Sequence, residues 1–380
     1  MNFKKILLAV LLCLGLITFL TACGKNEENK GAVTSNTSEQ IRFTDLKDRE
    51  IVLDKPASRI FLGFYEESYL SIAKDFSKVV SISKADWTDY FYAQYLAYEN
   101  ALPELKNITD TGSIYKGSFS MESLLNSKPD VAILAPFQYA ALAENVQKLE
   151  DAGIKVVVID YNSLTLEKHL KSTRILGMVT GNVERAETLA QNYEKAIQDV
   201  QNKVASISNR KKVYIELGSS GPKELGTSYG NYMWGGLVKL AGGDNIGEGR
   251  IKTFGKLDPA YVLTTNPDMI LFAGSKWVSD PGDNILMGFG VKPEDTNSRL
   301  AAYMQRDGWS ALNAVKNDNI FVVDHGGLKS TYDYVYVQFI AKALYPELFR
   351  DVDPVKNMKE FYQQYLPVSA TGTFMLQYKK

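Results

Sequence analysis

Residues 182–207 read NVERAETLAQNYEKAIQDVQNKVASI, and this stretch decides the fold. Its apolar residues recur at the spacing of one helical face, with charged residues between them. They are Ala186, Leu189, Ala190, Tyr193, Ala196, Ile197, Val200 and Val204. No Pro or Gly interrupts the run, so the sequence predicts one long helix near the middle of the chain.

On both sides of this helix, short β-rich runs alternate with helical stretches, which is typical of parallel sheets with crossover helices. The runs predict strands at residues 59–63, 79–83, 131–135, 156–159, 212–217, 269–273 and 320–323. Most of their residues are Ile, Val, Leu and Phe, as expected for strands covered on both faces. The predicted fold is therefore α/β, with two Rossmann-like lobes joined by a single long helix and a ligand cleft between the lobes.

The predicted first lobe spans residues 41–181, the connecting helix 182–207 and the second lobe 208–380. The two lobes share a weak internal repeat, SMESLLNSKPD at residues 120–130 and DPAYVLTTNPD at 258–268. Each copy reads as a short helix, a Pro-Asp turn and then a buried strand. Ser120 and Asp258 are suitable N-cap residues.

The N-terminus has the three parts of an export signal. Two lysines precede an apolar run at residues 6–20, and the run ends in LTAC at residues 20–23. The run is shorter than the roughly 20 residues of a membrane-spanning helix. We predict a lipoprotein signal peptide at residues 1–22 and a lipid (diacylglycerol, palmitate) on Cys23. An ordinary signal peptide with an incidental Cys is the alternative.

Residues 23–40 are rich in Lys, Glu, Asn, Ser and Thr, and they predict a flexible tether. The only other Cys, Cys13, lies in the leader, so no disulfide is expected. Loss of the leader lowers the count of Lys and Arg from 43 to 41, against 44 Asp and Glu. This balance gives no reason to expect nucleic acid as a partner, and it predicts membrane attachment through the lipid alone.

Five stretches in a fixed order carry a family resemblance. They are residues 43–60, which open with FTD and end with RI, residues 120–130, LAGGDNI at 240–246, GWSALNAV and IFVV within 308–323, and AKALYPELF at 341–349. Together they resemble the substrate-binding lipoproteins of ABC importers, in the class with a rigid helix between the lobes. That class handles ferric siderophores, haem, cobalamin and related metal complexes.

The resemblance implies a non-enzymatic monomer that is lipid-anchored on the extracytoplasmic face of the cell membrane. Its implied partners are an importer permease and its ATPase. In this family each lobe offers a glutamate to arginines of the permease. Glu122 matches the first glutamate, whereas Ala260 stands at the second position. Asp258 is the nearby acid, and its simpler role is the N-cap.

Other chemistry is missing from the sequence. The chain has two histidines, His169 and His325, which is few for a carrier of bare divalent metal. We expect His169 on the surface and His325 near the cleft. No nucleophile elbow, phosphate-binding loop or HExxH helix is present, so no cofactor or bound metal is expected. A metallochelatase-like enzyme and a ligand sensor are alternatives of another class.

Ligands of two-lobed α/β proteins bind at the carboxyl ends of parallel strands, between the lobes. The segments that follow the predicted strands supply a set of aromatic and cationic candidates for ligand binding. They are Tyr65, Trp87, Tyr90, Tyr115, Phe137, Tyr229, Arg250, Lys252, Lys276, Trp277, His325 and Tyr332. Residues 87–98 are so rich in rings that we expect a helix with one face in the core and the other toward the cleft.

Rings with a few cations suit a bulky anionic complex, and the low histidine count and the 341–349 element point the same way. The preferred ligand is a small metal complex, a ferric siderophore. Haem is an alternative, with His325 or a Tyr as an axial ligand. Cobalamin, an oxyanion and bare ferric ion held by tyrosines near Tyr334 remain open.

Overall fold

The computed structural model describes residues 40–278 and 282–379. The predicted leader, Cys23 and nearly all of the predicted tether lie outside these residues. In the first half the strands are β1 (Ile41–Thr44), β2 (Glu50–Leu53), β3 (Ile60–Leu62), β4 (Val79–Ile82), β5 (Thr109–Asp110), β6 (Val131–Leu134) and β7 (Lys155–Val158). The helices are α1 (Glu66–Ala73), α2 (Lys84–Tyr90), α3 (Tyr92–Ala101), α4 (Met121–Ser127), α5 (Pro136–Leu142), α6 (Asn145–Asp151) and α7 (Leu166–Thr180).

Five of these strands form a parallel sheet in the order β5-β4-β3-β6-β7. Every residue of β3 and β6 is buried. Alternate residues of β6 enter different apolar clusters, Val131 and Ile133 on one face and Ala132 and Leu134 on the other. This double burial explains why β6 reads as a continuous apolar run. The hairpin β1–β2 forms a separate antiparallel pair.

The second half repeats this architecture. Its strands are β8 (Lys212–Leu217), β9 (Ser228–Tyr229), β10 (Asp244–Asn245), β11 (Phe254–Gly255), β12 (Met269–Gly274), β13 (Gly288–Phe289), β14 (Ile320–Asp324), β15 (Gly372–Thr373) and β16 (Met375–Gln377). Its helices are α8 (Val183–Val204), α9 (Trp234–Leu240), α10 (Pro259–Thr265), α11 (Pro293–Tyr303), α12 (Asn313–Lys316), α13 (Tyr334–Leu344) and α14 (Pro354–Tyr365). The main sheet has the order β10-β8-β12-β14-β16, parallel except for β16.

The long helix α8 lies between the two sheets along the chain. Its apolar face is buried as the spacing predicts, and it packs against α7 of the first half and α13 of the second. Arg185 ties three helices together, because its guanidinium donates to the carbonyl oxygens of Ser71 on α1 and Tyr365 on α14. The predicted fold class is confirmed. None of the helices over the described ranges is both long and apolar enough to cross a membrane.

The internal repeat has the same geometry in both copies. The Ser120 hydroxyl and the Asp258 carboxylate accept from the third backbone N–H of α4 and α10, at 3.1 and 2.9 Å. In each copy, the Asp of the Pro-Asp turn accepts a hydrogen bond from a backbone N–H at the start of a neighbouring strand or one residue before it. Asp130 accepts from the N–H of Arg59, and Asp268 accepts from the N–H of Lys212. Both N-cap predictions are confirmed.

The aromatic run at residues 87–98 is not one helix. Helix α2 ends at Tyr90 and α3 begins at Tyr92, with Phe91 between them in a non-helical conformation (φ −139°, ψ 50°). The prediction of a single helix with two opposite faces is therefore wrong. The break turns the Phe91 ring toward the second half, where it lies 5.9 Å from the ring of His325.

Candidate ligand site between the lobes

The loops that follow β3 and β14 meet between the two lobes. The first loop leads through Phe64 and Tyr65 into α1, and the second leads through His325 to Lys329. Together with Phe91, they line a cavity of about 20 Å³, enough for about one water molecule. The cavity lies at the carboxyl ends of parallel strands, where the fold predicts a ligand.

Lys329 supplies the cation of this site. Its side chain is buried, and the Nζ atom lies 5.0 Å from the ring centre of Phe64 and 4.6 Å from that of Phe91. Among the described residues, the ammonium has no hydrogen-bond acceptor and no ion-pair partner. Burial lowers the pKa of Lys329 to about 8, and the nearby Glu66 opposes this shift. The site therefore holds a positive charge that no side chain of the described chain neutralises directly.

Glu66 and Glu67 open α1 and are both buried, but their contacts differ. One carboxyl oxygen of Glu66, Oε1, has no hydrogen-bond partner among the residues that the structure describes. Burial raises the pKa of Glu66 to about 8. Near neutral pH its carboxyl group is mostly protonated, and it can donate a hydrogen bond into the cavity.

Glu67, in contrast, is enclosed by three tyrosine hydroxyls. Oε1 lies 2.6 Å from the hydroxyl of Tyr98 and 2.8 Å from that of Tyr362, and Oε2 lies 2.7 Å from that of Tyr332. The hydroxyls of Tyr332 and Tyr362 also lie 2.7 Å apart. Three hydroxyls supply three protons for four contacts, and a protonated Glu67 supplies the fourth. Burial raises the pKa of Glu67, which agrees with this count.

The hydrogen bond from Trp234 determines the tautomer of His325. The indole Nε1–H donates to Nδ1 of His325 at 2.9 Å, and because an indole nitrogen only donates, the proton of the neutral imidazole is on Nε2. Burial and Lys329 lower the pKa of His325 to about 3. Neither ring nitrogen offers a free lone pair to iron while this bond is intact.

Several predicted ring residues form one continuous aromatic ladder from the surface to the cavity. Tyr115 is 58% exposed, and its ring meets that of Phe137 edge-on at 5.9 Å. Phe137 meets Phe64 at 5.3 Å, and Phe64 meets Tyr65 at 5.0 Å. Phe64 is also one of the two rings under Lys329. We name Tyr115, Phe137, Phe64 and Tyr65 the ring ladder.

Tyr90 and Tyr65 also lie near the cavity residues. The Tyr90 ring centre lies 6.2 Å from the ring centre of Phe91, and the ammonium of Lys116 lies 5.5 Å from the Tyr90 ring centre. Tyr65 has a left-handed backbone (φ 70°), and its hydroxyl donates to Asn162 at 2.7 Å. Lys329 is also left-handed (φ 68°). Two strained non-glycine residues at one cavity are typical of a functional site.

The structure places other predicted residues in the core. Trp87 is fully buried against Phe76 and Tyr98, and its indole N–H donates to Gln94. Tyr229 is buried in the small sheet β9–β11. Tyr332 is buried and bonded to Glu67. Their apolar character reflects packing, and none of the three lines the cavity.

The predicted cations of the second half also lie away from the cavity. Arg250 and Lys252 are exposed, and the Arg250 guanidinium lies 3.8 Å from the ring centre of Tyr261 on α10. Lys276 is exposed and Trp277 half-buried in the loop after β12. The cation that does reach the cavity, Lys329, was missed because a Lys in a loop normally marks the surface.

Glu66 and Phe91 were missed as well. Glu66 directly follows Tyr65 after β3, so the rule of carboxyl strand ends reaches it, but an acid in the first turn of a helix suggests dipole stabilisation instead. Phe91 becomes visible only with the break between α2 and α3. The periodicity of the sequence therefore indicates neither Glu66 nor Phe91 as a site residue.

His169 is buried, and the prediction of a surface residue is wrong. Its ring stacks on Tyr193 at 3.5 Å, and Nε2 lies 2.9 Å from the carbonyl oxygen of Ser330. Burial lowers its pKa to about 3, so it is neutral. The reason is helical spacing, because His169, Thr173 and Leu176 share the buried face of α7.

The two predicted docking residues differ in their surroundings. Glu122 is exposed in the first turn of α4 and has no partner among the described residues. One oxygen of Asp258 is committed to its cap bond with Tyr261. Over the described ranges, no group of three or more His, Cys, Asp or Glu side chains could hold a metal ion.

Comparison with known proteins agrees with this architecture. The sequence model of the family described as periplasmic binding protein matches residues 68–325. The molybdate-binding protein MolA of Haemophilus influenzae is 25% identical over 347 residues, which is 86% of this chain and 91% of MolA. The iron-uptake system-binding protein of Bacillus subtilis is 22% identical over 329 residues, 84% of this chain and 90% of that protein.

A solved structure extends the comparison to three dimensions. The TroA-like periplasmic binding protein FepB of Veillonella parvula is 31% identical, with a TM-score of 0.82, and the match covers 89% of this chain and all of FepB. The shared feature is the two-lobed α/β fold. The chain therefore belongs to the periplasmic binding protein family, the non-enzymatic, extracytoplasmic solute-binding components of ABC importers.

Proposed function

We propose that this protein captures an anionic iron complex, a ferric siderophore, and delivers it to the permease of an ABC importer. The observation that carries the proposal is the buried ammonium of Lys329 at the inner end of the ring ladder, which has no ion-pair partner in the described part of the chain. A buried cation without a counter-charge is costly, and an anionic ligand would remove that cost. The rings supply contact area for an organic ligand.

The ring ladder favours a bulky complex over a bare ion. Tyr115 is the most exposed ring of the ladder, so a ligand that extends beyond the present cavity toward the surface has an aromatic ring to contact. The iron-uptake system-binding protein of Bacillus subtilis supports iron as the metal. Haem held through His325 is disfavoured, because ligation would require loss of the Trp234 bond.

A small oxyanion is the second candidate, favoured by two observations. The cavity of about 20 Å³ is small and polar on the side of Glu66 and Lys329. The relative MolA binds molybdate by its name. A protonated Glu66 and the ammonium of Lys329 each offer a hydrogen-bond donor, and the oxygens of a tetrahedral oxyanion accept hydrogen bonds.

Tryptophan fluorescence separates the two candidates, because Trp234 contacts His325 directly beside the cavity. The purified protein is titrated with ferric hydroxamate and ferric catecholate siderophores, haemin, cyanocobalamin and sodium molybdate. We expect saturable quenching by a ferric siderophore, lost in Lys329→Met and kept in Lys359→Met, an exposed lysine on α14. A response to molybdate alone would favour the second candidate, and no response to any iron complex would refute the first.

The anchoring and docking proposals have separate tests. Cys23→Ala should release the protein from the membrane of its host and remove the lipid mass.

Glu122→Ala should abolish uptake by intact cells without changing ligand affinity, whereas Glu104→Ala, at another exposed acid of the first half, should leave uptake normal. Normal uptake by the Glu122 variant would remove this residue from the docking surface. Asp258 is proposed to act as the cap of α10 rather than as a docking acid.

A further inference from the structure

A run of alternating residues in the second half forms an exposed basic surface. Arg250, Lys252, Phe254 and Lys256 are exposed, while the residues between them are partly buried. Ile251, between the first two, packs against the apolar cluster of the second half. We name these four exposed residues the basic stripe. Phe254 belongs to the short strand β11, whereas Arg250 lies in a turn in which its N–H donates to the carbonyl oxygen of Gly247.

The basic stripe is held in place rather than loose. Strand β11 pairs with β9, and the N–H of Gly230 donates to the carbonyl oxygen of Thr253 at 2.9 Å. The Arg250 guanidinium is stacked 3.8 Å from the ring centre of Tyr261, which fixes it beside α10. An ordered arginine loses less conformational entropy when it binds a partner.

Most of the charge on the stripe is not neutralised by the protein itself. Over the described ranges, neither Arg250 nor Lys252 has a carboxylate within ion-pair distance. Lys256 pairs with Glu224 at 2.6 Å, but both side chains are more than half exposed, so this pair contributes little. Phe254 is 56% exposed between two of the cations. An exposed ring between two exposed lysines fits a partner surface that combines apolar and acidic groups.

The position of the stripe indicates the partner. Helix α10 is the structural counterpart of α4, which exposes Glu122 in the first half. At the matching place α10 has Ala260, and Arg250 lies against its next residue, Tyr261. In the first half, residues 112–118 contain a single cation, Lys116, and it is paired with Asp89 at 2.7 Å. Over the described ranges, the segment before α4 therefore has no cation without a carboxylate partner, whereas the segment before α10 has two, Arg250 and Lys252.

We propose that the second lobe docks onto the importer through the basic stripe, against an acidic surface of the permease, while the first lobe docks through Glu122. The proposal rests on the proposed delivery of ligand to a permease. It implies that the protein binds its importer in one orientation only, because a reversed complex would bring like charges together.

The test uses the importer complex from the same host in nanodiscs of neutral lipid, with unliganded binding protein. We expect the double variant Arg250→Glu/Lys252→Glu to bind the importer at least about tenfold more weakly at low salt, with the difference largely lost at about 0.5 M salt. The matched control is Lys359→Glu, at an exposed lysine on α14 that has no ion-pair partner over the described ranges, and this variant should bind normally. Thermal unfolding of all three proteins verifies folding.

The outcomes separate this inference from the proposed function. Equal importer affinity for the wild type and the double variant would overturn docking through the stripe while leaving delivery intact. Failure of the wild type to bind the importer would overturn both. Binding of the wild type to empty vesicles of anionic lipid, lost in the double variant, together with unchanged importer affinity, would assign the stripe to the membrane surface instead. Because no ligand is added, an error in the identity of the ligand does not affect the result.

Discussion

Glu66 and Glu67 are consecutive residues in the first turn of α1, and both are buried between the lobes. Both oxygens of Glu67 are hydrogen-bonded to tyrosine hydroxyls, which come from both lobes. Within the described part of the chain, one oxygen of Glu66 has no hydrogen-bond partner, and Lys329 at the same cavity has no ion-pair partner. The same residue type therefore serves the lobe interface at one position and the ligand site at the next. The difference lies in whether the protein itself completes the hydrogen bonds.

The largest expected effect is on stability at Glu67. Glu67→Ala leaves three buried tyrosine hydroxyls without their shared hydrogen-bond partner, so we expect the free energy of unfolding to fall by about 3–5 kcal/mol. Glu66→Ala is the matched control, and its cost should stay near 1 kcal/mol because Glu66 Oε1 has no partner to lose. Denaturant titration of both variants measures the difference. Equal losses would show that the two acids do not have distinct roles.

The second-largest expected effect is on ligand affinity at Lys329, which lines the same cavity as Glu66. Lys329→Met removes the unpaired cation but keeps most of the volume between Phe64 and Phe91. We expect the affinity for an anionic ligand to fall about 30- to 100-fold, or about 2–2.7 kcal/mol. The variant should be at least as stable as the wild type, because burial of an unpaired ammonium costs free energy. A destabilised variant with normal affinity would contradict the assignment.

The pH dependence of the free energy of unfolding tests whether Glu66 is protonated in the folded protein. Its pKa is about 8 in the folded protein and 4.5 ordinarily, so between these pH values the folded state keeps a proton that the unfolded state releases. The free energy of unfolding therefore falls as pH rises from about 5 to 8, by at most about 1.4 kcal/mol per pH unit for this group. Buried Asp324 and Asp333 shift in the same direction and remain in Glu66→Gln.

The free energy of unfolding is therefore measured against pH for the wild type and for Glu66→Gln. Between about pH 5 and 8, it should fall less steeply in Glu66→Gln than in the wild type. Lys329, with its pKa lowered to about 8, contributes a rise only above that pH, where the folded state has lost a proton that the unfolded state keeps. Parallel curves from pH 5 to 8 would mean that Glu66 is ionised in the folded protein.

The fold was largely predictable because its main strands and α8 are buried in regular ways. The seven predicted strands correspond to β3, β4, β6, β7, β8, β12 and β14. The two-residue strands, such as β9 and β11, are too short to show any periodicity. The break at Phe91 has no Pro or Gly to mark it in the sequence.

The site was only partly predictable. The rule of carboxyl strand ends led to Tyr65, Tyr115, Phe137 and His325, which lie in the ring ladder or contact the loops of the cavity. The same rule selected Trp87, Tyr229 and Tyr332, because an aromatic residue at a strand end reads the same whether it packs inward or faces a ligand. Lys329 requires knowledge of burial, which residue type alone contradicts.

The smallest expected effect tests the proton count around Glu67. If Glu67 is protonated, its proton is donated to Tyr362, whose own proton goes to Tyr332, so Tyr362→Phe leaves that buried proton without an acceptor. Tyr98 only donates to Oε1, and Tyr98→Phe removes one donor. We expect Tyr362→Phe to cost about 2 kcal/mol and Tyr98→Phe about 1 kcal/mol in free energy of unfolding. If Glu67 is instead ionised, both variants lose one donor, and Tyr362→Phe also removes the contact between two oxygens that share no proton. The order of the two costs would then be reversed. Denaturant titration of the two variants at pH 6, where neither mutation changes a group that titrates, therefore distinguishes a neutral Glu67 that closes the hydrogen-bonded ring from a charged one.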